Sequence, residues 1–327
     1  MAEDLTIMAI VQRGRLEAEA VLMLATLRAV EPVRAYRLAL CVPQESPVWS
    51  DKRGISAQGR RFLEAAGAEI LPFAPQHFGK TYPHGNKIEA LAALPEGRPF
   101  LFLDTDTLPL APLGALTLDF AHPAASLRRE DSWPVPRPGG PSRAEIWRAL
   151  YDQFGLDLDQ AIDPHRDEED WERYPYYNAG WFYGPCPRRF GALFLRIARG
   201  IRDAPPEALA GQSLTPWLDQ IALPLVIHAL GGGPWAVPRH DLDGRATLHY
   251  RLLALLYATA PEETVAFLER VAAEPDVRPL LSRHPPFRRY LYEDWGARCR
   301  ALFDRGALPP VERDIRRRIR DAGLWCR

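Results

Sequence analysis

Cysteine, lysine and long apolar runs are all scarce in this chain, and each shortage excludes something. Its 327 residues contain four cysteines, at 41, 186, 299 and 326. They stand far apart, with no CxxC pair and no Cys/His cluster at zinc spacing, so the sequence predicts reduced thiols rather than a disulfide framework or a structural zinc. The longest apolar stretch, Ile221 to Leu230, holds Pro224 and His228 and falls well short of the ~20 residues that span a bilayer. The opening Met-Ala-Glu-Asp-Leu is acidic and lacks the basic start and apolar stretch of a signal peptide, so the expected location is the cytoplasm. An excess of one charge is also missing, with 41 Lys+Arg against 42 Asp+Glu. That balance argues against a nucleic-acid binder, which must neutralise many phosphates. Lysine occurs only at 52, 80 and 87, so nearly every basic residue is arginine. A retained lysine is then informative, because an ammonium is a compact point charge and a guanidinium is a planar fork.

What remains is a globular composition, 47% hydrophobic and 25% charged. A chain of this length can bury about 75% of its unfolded surface without staples. Strand-like runs at Leu5 to Val11, Tyr36 to Val42, Glu69 to Phe73 and Phe100 to Leu103 alternate with helical patterns at Arg15 to Val30, Ile55 to Ala66 and Asn86 to Leu94. Alternation of this kind predicts an α/β fold with a mainly parallel sheet covered on both faces, where ligands sit at the carboxyl ends of the strands. Ala111 to Pro141 reads as a Pro/Gly-rich surface excursion. Ser142 and Glu145 form a capping box for a helix carrying Ile146, Leu150 and Phe154. The acidic stretch Asp157 to Glu172 reads as a mobile loop, Tyr176 to Tyr183 as a strand and Arg188 to Ile201 as a helix. Thr215-Pro216 supplies an N-cap and first-turn proline for a helix from Trp217, which Pro224 should kink. Ala246 to Tyr250 is a late strand, and the remainder is mainly helical.

Chemistry concentrates after the apolar strand, in Leu103-Asp104-Thr105-Asp106. Two carboxylates one residue apart at a buried strand end can direct oxygens at one hard divalent cation that also holds phosphates. Two solvated acids in a loop are the plain alternative. Further along stand Asn86-Lys87-Ile88, Tyr177-Asn178-Ala179-Gly180-Trp181-Phe182, Leu218-Asp219-Gln220 and His249-Tyr250. Each has an ordinary reading alone: a solvated lysine, an Asn-x-Gly turn, an acid favoured by a helix N-terminus, a buried strand histidine.

In that order, over about residues 5 to 255, these segments resemble the GT-A-fold glycosyltransferases that use nucleotide sugars, specifically the glycogenin-like and galactosyltransferase-like proteins of glycosyltransferase family 8. The resemblance implies a GT-A domain over 1–255, with a nucleotide-binding half to about 110, an acceptor half over 111–255 and a helical extension over 256–327. It implies a divalent metal, Mn²⁺ or Mg²⁺, held by Asp104, Asp106 and His249, with His240 as a competing ligand. Lys87 would then meet the diphosphate or donor sugar, Asp219 the sugar hydroxyls and Gln220 the anomeric carbon. Asn178 would donate to and accept from hydroxyls, and Gly180 would let the sugar approach the backbone. The donor implied is a UDP-sugar, transferred with retention to an acceptor of unknown class. Where the family continues to a Gly and a Lys-Pro-Trp, this chain reads Arg251-Leu252-Leu253, and Arg251 is the candidate replacement for that lysine. The rivals are an inactive GT-A binding domain and a haloacid-dehalogenase-type phosphohydrolase, which needs Thr or Val where Leu108 stands. Trp133, Trp171, Tyr174 and Tyr176 can stack on acceptor sugars or pack a core. Arg316, Arg317, Arg318 and Arg320 form a basic face opposite Ile315 and Ile319, a solvated face or a docking surface for anionic lipid.

Overall fold

The computed structural model describes residues 4–51, 54–128, 133–237 and 241–326. The chain begins β1 (Thr6–Ile10), α1 (Arg15–Val30), β2 (Arg37–Pro43), α2 (Ala57–Ala65), β3 (Ala68–Phe73), α3 (Asn86–Glu89), β4 (Phe100–Leu103) and β5 (Thr107–Pro109). It continues with β6 (Ala124–Ser126), α4 (Arg143–Gln153), β7 (Asn178–Gly184), α5 (Pro187–Asp203), α6 (Leu218–Ala229) and β8 (Thr247–His249). Six helices close it: α7 (Leu253–Thr259), α8 (Glu262–Ala272), α9 (Arg278–Leu281), α10 (Pro285–Tyr292), α11 (Trp295–Ala301) and α12 (Glu312–Asp321).

The main sheet runs in the order β3-β2-β1-β4-β7-β6. Pairings among β1, β2, β3 and β4 are parallel, and β7 runs antiparallel to both β4 and β6. β1 and β4 lie near the centre, and every residue of both is buried. Their continuous apolar runs follow from that position, since a strand covered on both faces has no solvent side to alternate towards. Alternate side chains enter different cores. Ile7, Leu101, Leu103 and Trp181 pack with α1, α2 and the C-terminal helices, whereas Met8, Phe100, Phe102 and Phe182 pack with α3 to α6.

Several local expectations are corrected. α3 is four residues long and passes into a 3₁₀ turn, Ala90–Ala93, rather than continuing as one helix to Leu94. Thr215 does not cap α6: the Thr215–Pro216 peptide is cis, and the helix begins at Leu218 with Trp217 as its N-cap and no side-chain cap. α6 then runs through Pro224 to Ala229. Within the acidic stretch, Arg166 pairs with Asp163, Asp170 and Glu172, and 3₁₀ turns form at Leu158–Gln160 and Trp171–Arg173. The capping box holds: Ser142 Oγ accepts the Glu145 N–H at 3.2 Å and Glu145 Oε2 accepts the Ser142 N–H at 2.7 Å. All four cysteines are free thiols, and among the described residues no helix is long and apolar enough to cross a membrane.

Candidate active site

The carboxyl ends of β1 and β4 open on one edge of the sheet, and the chain leaves β4 through Asp104, Thr105 and Asp106 into β5. Two ladders hold this turn. The Asp104 N–H donates to the Gly180 carbonyl at 2.8 Å on the β7 side, and the Tyr250 N–H donates to the Asp106 carbonyl at 2.9 Å on the β8 side. β5 pairs antiparallel with β8 in a register that sets Thr107 opposite His249. The distant histidine thereby arrives beside Asp106, with Nε2 3.2 Å from Oδ1. One ligand atom from each of Asp104, Asp106 and His249 lies within 4.8 Å of the others.

Gly180 makes room for this arrangement. A Cβ built there would stand 2.3 Å from His249 Nδ1 and 2.9 Å from Asn178 Oδ1. The Cβ side of Gly180 is therefore filled by the histidine ring, and Gly180 does not line the cavity. Asn178 Oδ1 accepts the Gly180 N–H at 2.8 Å, so the acceptor half of its amide serves the local turn. Beside Asn178 the pairing of β6 with β7 slips between Ala125 and Ser126.

Lys87 is buried at 6% exposure, an expensive place for a charge unless it is paired. Its Nζ lies 3.0 Å from Asp104 Oδ1, 2.9 Å from the Ala179 carbonyl and 3.5 Å from Asp219 Oδ2. Burial opposes the charge, but the two carboxylates outweigh it and hold the ammonium above its usual value. The lysine thus ties the Asp-x-Asp turn to the start of α6. Asp219, 1% exposed, also meets the Tyr82 hydroxyl: Oδ1 lies 2.7 Å from it, and the Asp219 N–H donates to the same oxygen at 2.8 Å. Gln220 Oε1 accepts from the Tyr176 hydroxyl at 2.6 Å.

Electrostatics differ sharply within the cluster. Burial raises Asp104 above the usual carboxylate value against the pull of Lys87. Burial pushes Asp106 the same way, yet His249, with Arg15 and Lys87, outweighs it and leaves that carboxyl low. Burial would lower His249, but Asp106 and Asp104 outweigh it and hold the imidazole above its usual value. Nδ1 of this buried ring has no partner among the described residues. Beneath the turn, buried Glu19 accepts from Thr105 at 2.9 Å and from Arg15 at 2.7 Å.

Every site residue expected from the sequence except Gly180 lines one cavity of about 540 Å³. A second, of about 450 Å³, shares His84, Lys87, Asp104 and Asp106 with it and extends past Gln12, Arg13 and Arg15 at the end of β1. The larger cavity has a wall that sequence reasoning missed. Arg313, Arg316 and Arg320 of α12 line it, so the basic face is not simply solvated, while Ile315 and Ile319 are buried as expected. Glu312 holds Arg251, and its Oε1 accepts Arg316 Nε at 2.5 Å. Arg317 instead pairs with Asp314 at 2.9 Å, and Arg318 lies over Phe303. Of the four aromatics, Tyr176 reaches the cavity, Trp133 packs edge-on to Trp147, and Trp171 and Tyr174 line a separate cavity of about 640 Å³. His240 and Lys52 lie outside the described residues.

Residues 7–231 match the family model of the Rhodobacterales glycosyltransferase domain. The chain belongs to that family. The match takes in Lys87, the Asp-x-Asp turn, Asn178, Asp219 and Gln220 and ends before His249, Arg251 and α12. A glycosyltransferase displaces the phosphohydrolase rival. No curated protein matches the sequence. Solved structures that match include the galactosyltransferase LgtC in complex with donor and acceptor sugar analogs, at 15% identity, 68% of this chain, 70% of that one and a TM-score of 0.41. The bifunctional glycosyltransferase WbbM matches at 13% identity over 86% of this chain and 52% of its own, with a TM-score of 0.46. GlyE of Streptococcus pneumoniae TIGR4 matches at 12% identity over 80% and 50%, with a TM-score of 0.39.

Proposed function

We propose that this glycosyltransferase moves a sugar from a nucleoside-diphosphate sugar, a UDP-sugar in the first instance, to an acceptor hydroxyl with the help of Mn²⁺ or Mg²⁺. The observation that carries the reading is the convergence of Asp104, Asp106 and His249 within 4.8 Å in the cavity that also holds Lys87, Asp219 and Gln220. Two carboxylates and an imidazole suit Mn²⁺, which accepts mixed oxygen and nitrogen ligands, and the His249 nitrogen on the Asp106 side, Nε2, is the one that would ligate. When bound, the ion supplies charge neutralisation to the diphosphate leaving group.

The remaining work falls to the chain's own side chains. Lys87 bridges Asp104 and Asp219 and keeps both turned into one cavity. Asp219, fixed by Tyr82, accepts from sugar hydroxyls, and Asn178 offers its free amide hydrogens to the same ring. Gln220, oriented by Tyr176, stands near the reacting carbon. The smaller cavity at the end of β1 takes the nucleoside, as expected of a carboxyl-end crevice in a doubly wound sheet. Retention of configuration follows from the resemblance to family 8, and the cytoplasm, where four thiols remain reduced, is the proposed location.

The test is thermal stability of the full chain with UDP, with and without Mn²⁺, followed by UDP release from a panel of UDP-sugars. Stabilisation by UDP that requires the metal, together with release from at least one donor, is expected. Equal stabilisation in EDTA would sink the metal-bridged reading. Metal-dependent binding without release from any donor would favour the inactive domain, a reading that the chain's departure from the Lys-Pro-Trp pattern makes worth separating.

A further inference from the structure

We infer that the acceptor carries a phosphate group and that the arginine face of α12 recognises it. This rests on the reading of the cavity as a nucleotide-sugar site. Arg313, Arg316 and Arg320 are spaced three and four residues apart, so they share one helical face, and that face lines the cavity. Ile315 and Ile319, on an adjoining face, are buried in the core, which fixes the helix's rotation. α12 therefore presents its guanidinium groups to the site as a consequence of its own amphipathic packing.

Two of these arginines lack a counter-charge. Arg316 is neutralised by Glu312, which also holds Arg251. Among the described residues no carboxylate lies within ion-pair distance of Arg313, and Arg320 stacks its guanidinium 4.7 Å from the centre of the Trp325 ring instead. Trp325 also carries Arg316 at 5.7 Å, so one indole holds two arginine side chains in place. An indole satisfies the face of a guanidinium and leaves its edge donors free to fork onto an oxyanion.

Charge balance assigns these donors to the acceptor. The lining includes five fixed cations, Lys87, Arg251, Arg313, Arg316 and Arg320, and four carboxylates, Asp104, Asp106, Asp219 and Glu312. A divalent ion and the diphosphate diester of a nucleotide sugar cancel each other. The excess over the whole lining is a single charge, but α12 itself sets three arginines against one carboxylate, Glu312, and this local excess of two survives donor binding. A carboxylate would need one guanidinium, whereas two unpaired ones match a phosphate monoester, which carries about −1.5 to −2 charges at neutral pH. A neutral saccharide would leave both without an anionic partner.

The experiment uses the full chain saturated with UDP and Mg²⁺, titrated calorimetrically with glycerol 3-phosphate and, separately, with glycerol. Saturable binding of the phosphate ester and none of glycerol is expected. R313Q/R320Q should weaken the phosphate ester at least ~10-fold, as expected for loss of two charged hydrogen bonds, while UDP–Mg²⁺ affinity stays within about twofold and so reports a folded donor site. R317Q/R318Q, at positions that do not line the cavity and are engaged with Asp314 and Phe303, should change neither. Absence of phosphate binding in a wild-type chain that binds UDP–Mg²⁺ would overturn the inference. So would loss of UDP affinity in R313Q/R320Q, which would give the arginines to the donor diphosphate. Adsorption to phosphatidic acid vesicles that falls equally in both double variants, without binding of glycerol 3-phosphate, would make the face a membrane contact and overturn it as well. Failure of the wild type to bind UDP–Mg²⁺ would remove the donor-site reading and this inference with it.

Discussion

Gly180→Ala tests the central geometric claim, that the missing side chain at 180 makes the three-ligand cluster possible. The added Cβ would stand 2.3 Å from His249 Nδ1 and 2.4 Å from Cε1. Restoring ordinary carbon contact requires the ring to retreat by roughly 1 Å. It has little freedom to do so. Thr107 faces His249 across the β5–β8 ladder, the Tyr250 N–H is bound to Asp106, and Arg128 Nη1 donates to the His249 carbonyl at 2.8 Å. The backbone is held, so the ring must rotate away from Asp106. Overpacking of this kind costs about 2 kcal/mol, and displacing one metal ligand should lower Mn²⁺ affinity by roughly 10–100-fold.

The control is the same substitution in a chain lacking the ring. His249→Ala should itself weaken Mn²⁺, but Gly180→Ala added to it should cost no more than about 0.5 kcal/mol, because the obstructing atoms are gone. Urea denaturation of the wild type, both single variants and the double variant gives the coupling directly, and calorimetry with Mn²⁺ and UDP gives the metal term. If the Gly180→Ala penalty persists undiminished without the imidazole, the clash with His249 is not its cause. If Gly180→Ala binds Mn²⁺ as the wild type does, His249 is not a ligand in the arrangement described.

Three further outcomes follow from the same site. Asp106→Asn should abolish metal-dependent UDP binding, read by calorimetry, because it removes a charged ligand from the cation that joins protein to diphosphate. Asp219→Asn should leave UDP–Mn²⁺ affinity within a few-fold of wild type but lower donor turnover at least ~100-fold, since Lys87 keeps Asp104 as partner while the sugar loses its positioning group; equal loss of UDP binding in both variants would refute the division. Between about pH 6 and 8 the metal-free and metal-bound chains should move in opposite directions. His249 is raised above its reference value of 6.5, so its proton contributes stability at low pH that is lost as pH rises through the raised value. Mn²⁺ must displace that proton, so the thermal shift it produces should grow over the same interval. A Mn²⁺ shift independent of pH would remove the imidazole from the ligand set.

What could be read without coordinates, and what could not, divides along a physical line. Asp104 and Asp106 are contiguous and end an apolar strand, so their shared direction is a local property, and the parallel core around β1 and β4 announces itself through uninterrupted apolar runs. Lys87 stood out by the rarity of lysine, yet its role as a buried bridge between Asp104 and Asp219 depends on α3 and α6 converging, which no local pattern encodes. The same holds for Glu19 and Tyr82, an acid on a helix and an aromatic in a loop, whose importance comes only from what lies opposite. At Gly180 the close neighbour is the ring of His249, brought there by the pairing of β5 with β8 from nearly seventy residues away, which no local pattern encodes. α12 shows the limit most clearly. Helical periodicity sets Arg316, Arg317, Arg318 and Arg320 against two isoleucines, but the four divide in the fold: Arg316 and Arg320 join Arg313 on the face that lines the cavity, while Arg317 and Arg318 do not reach it. Which surroundings that face meets is a property of the whole fold, and here it is the wall of the cavity, where unpaired guanidinium groups become part of substrate choice rather than of solubility.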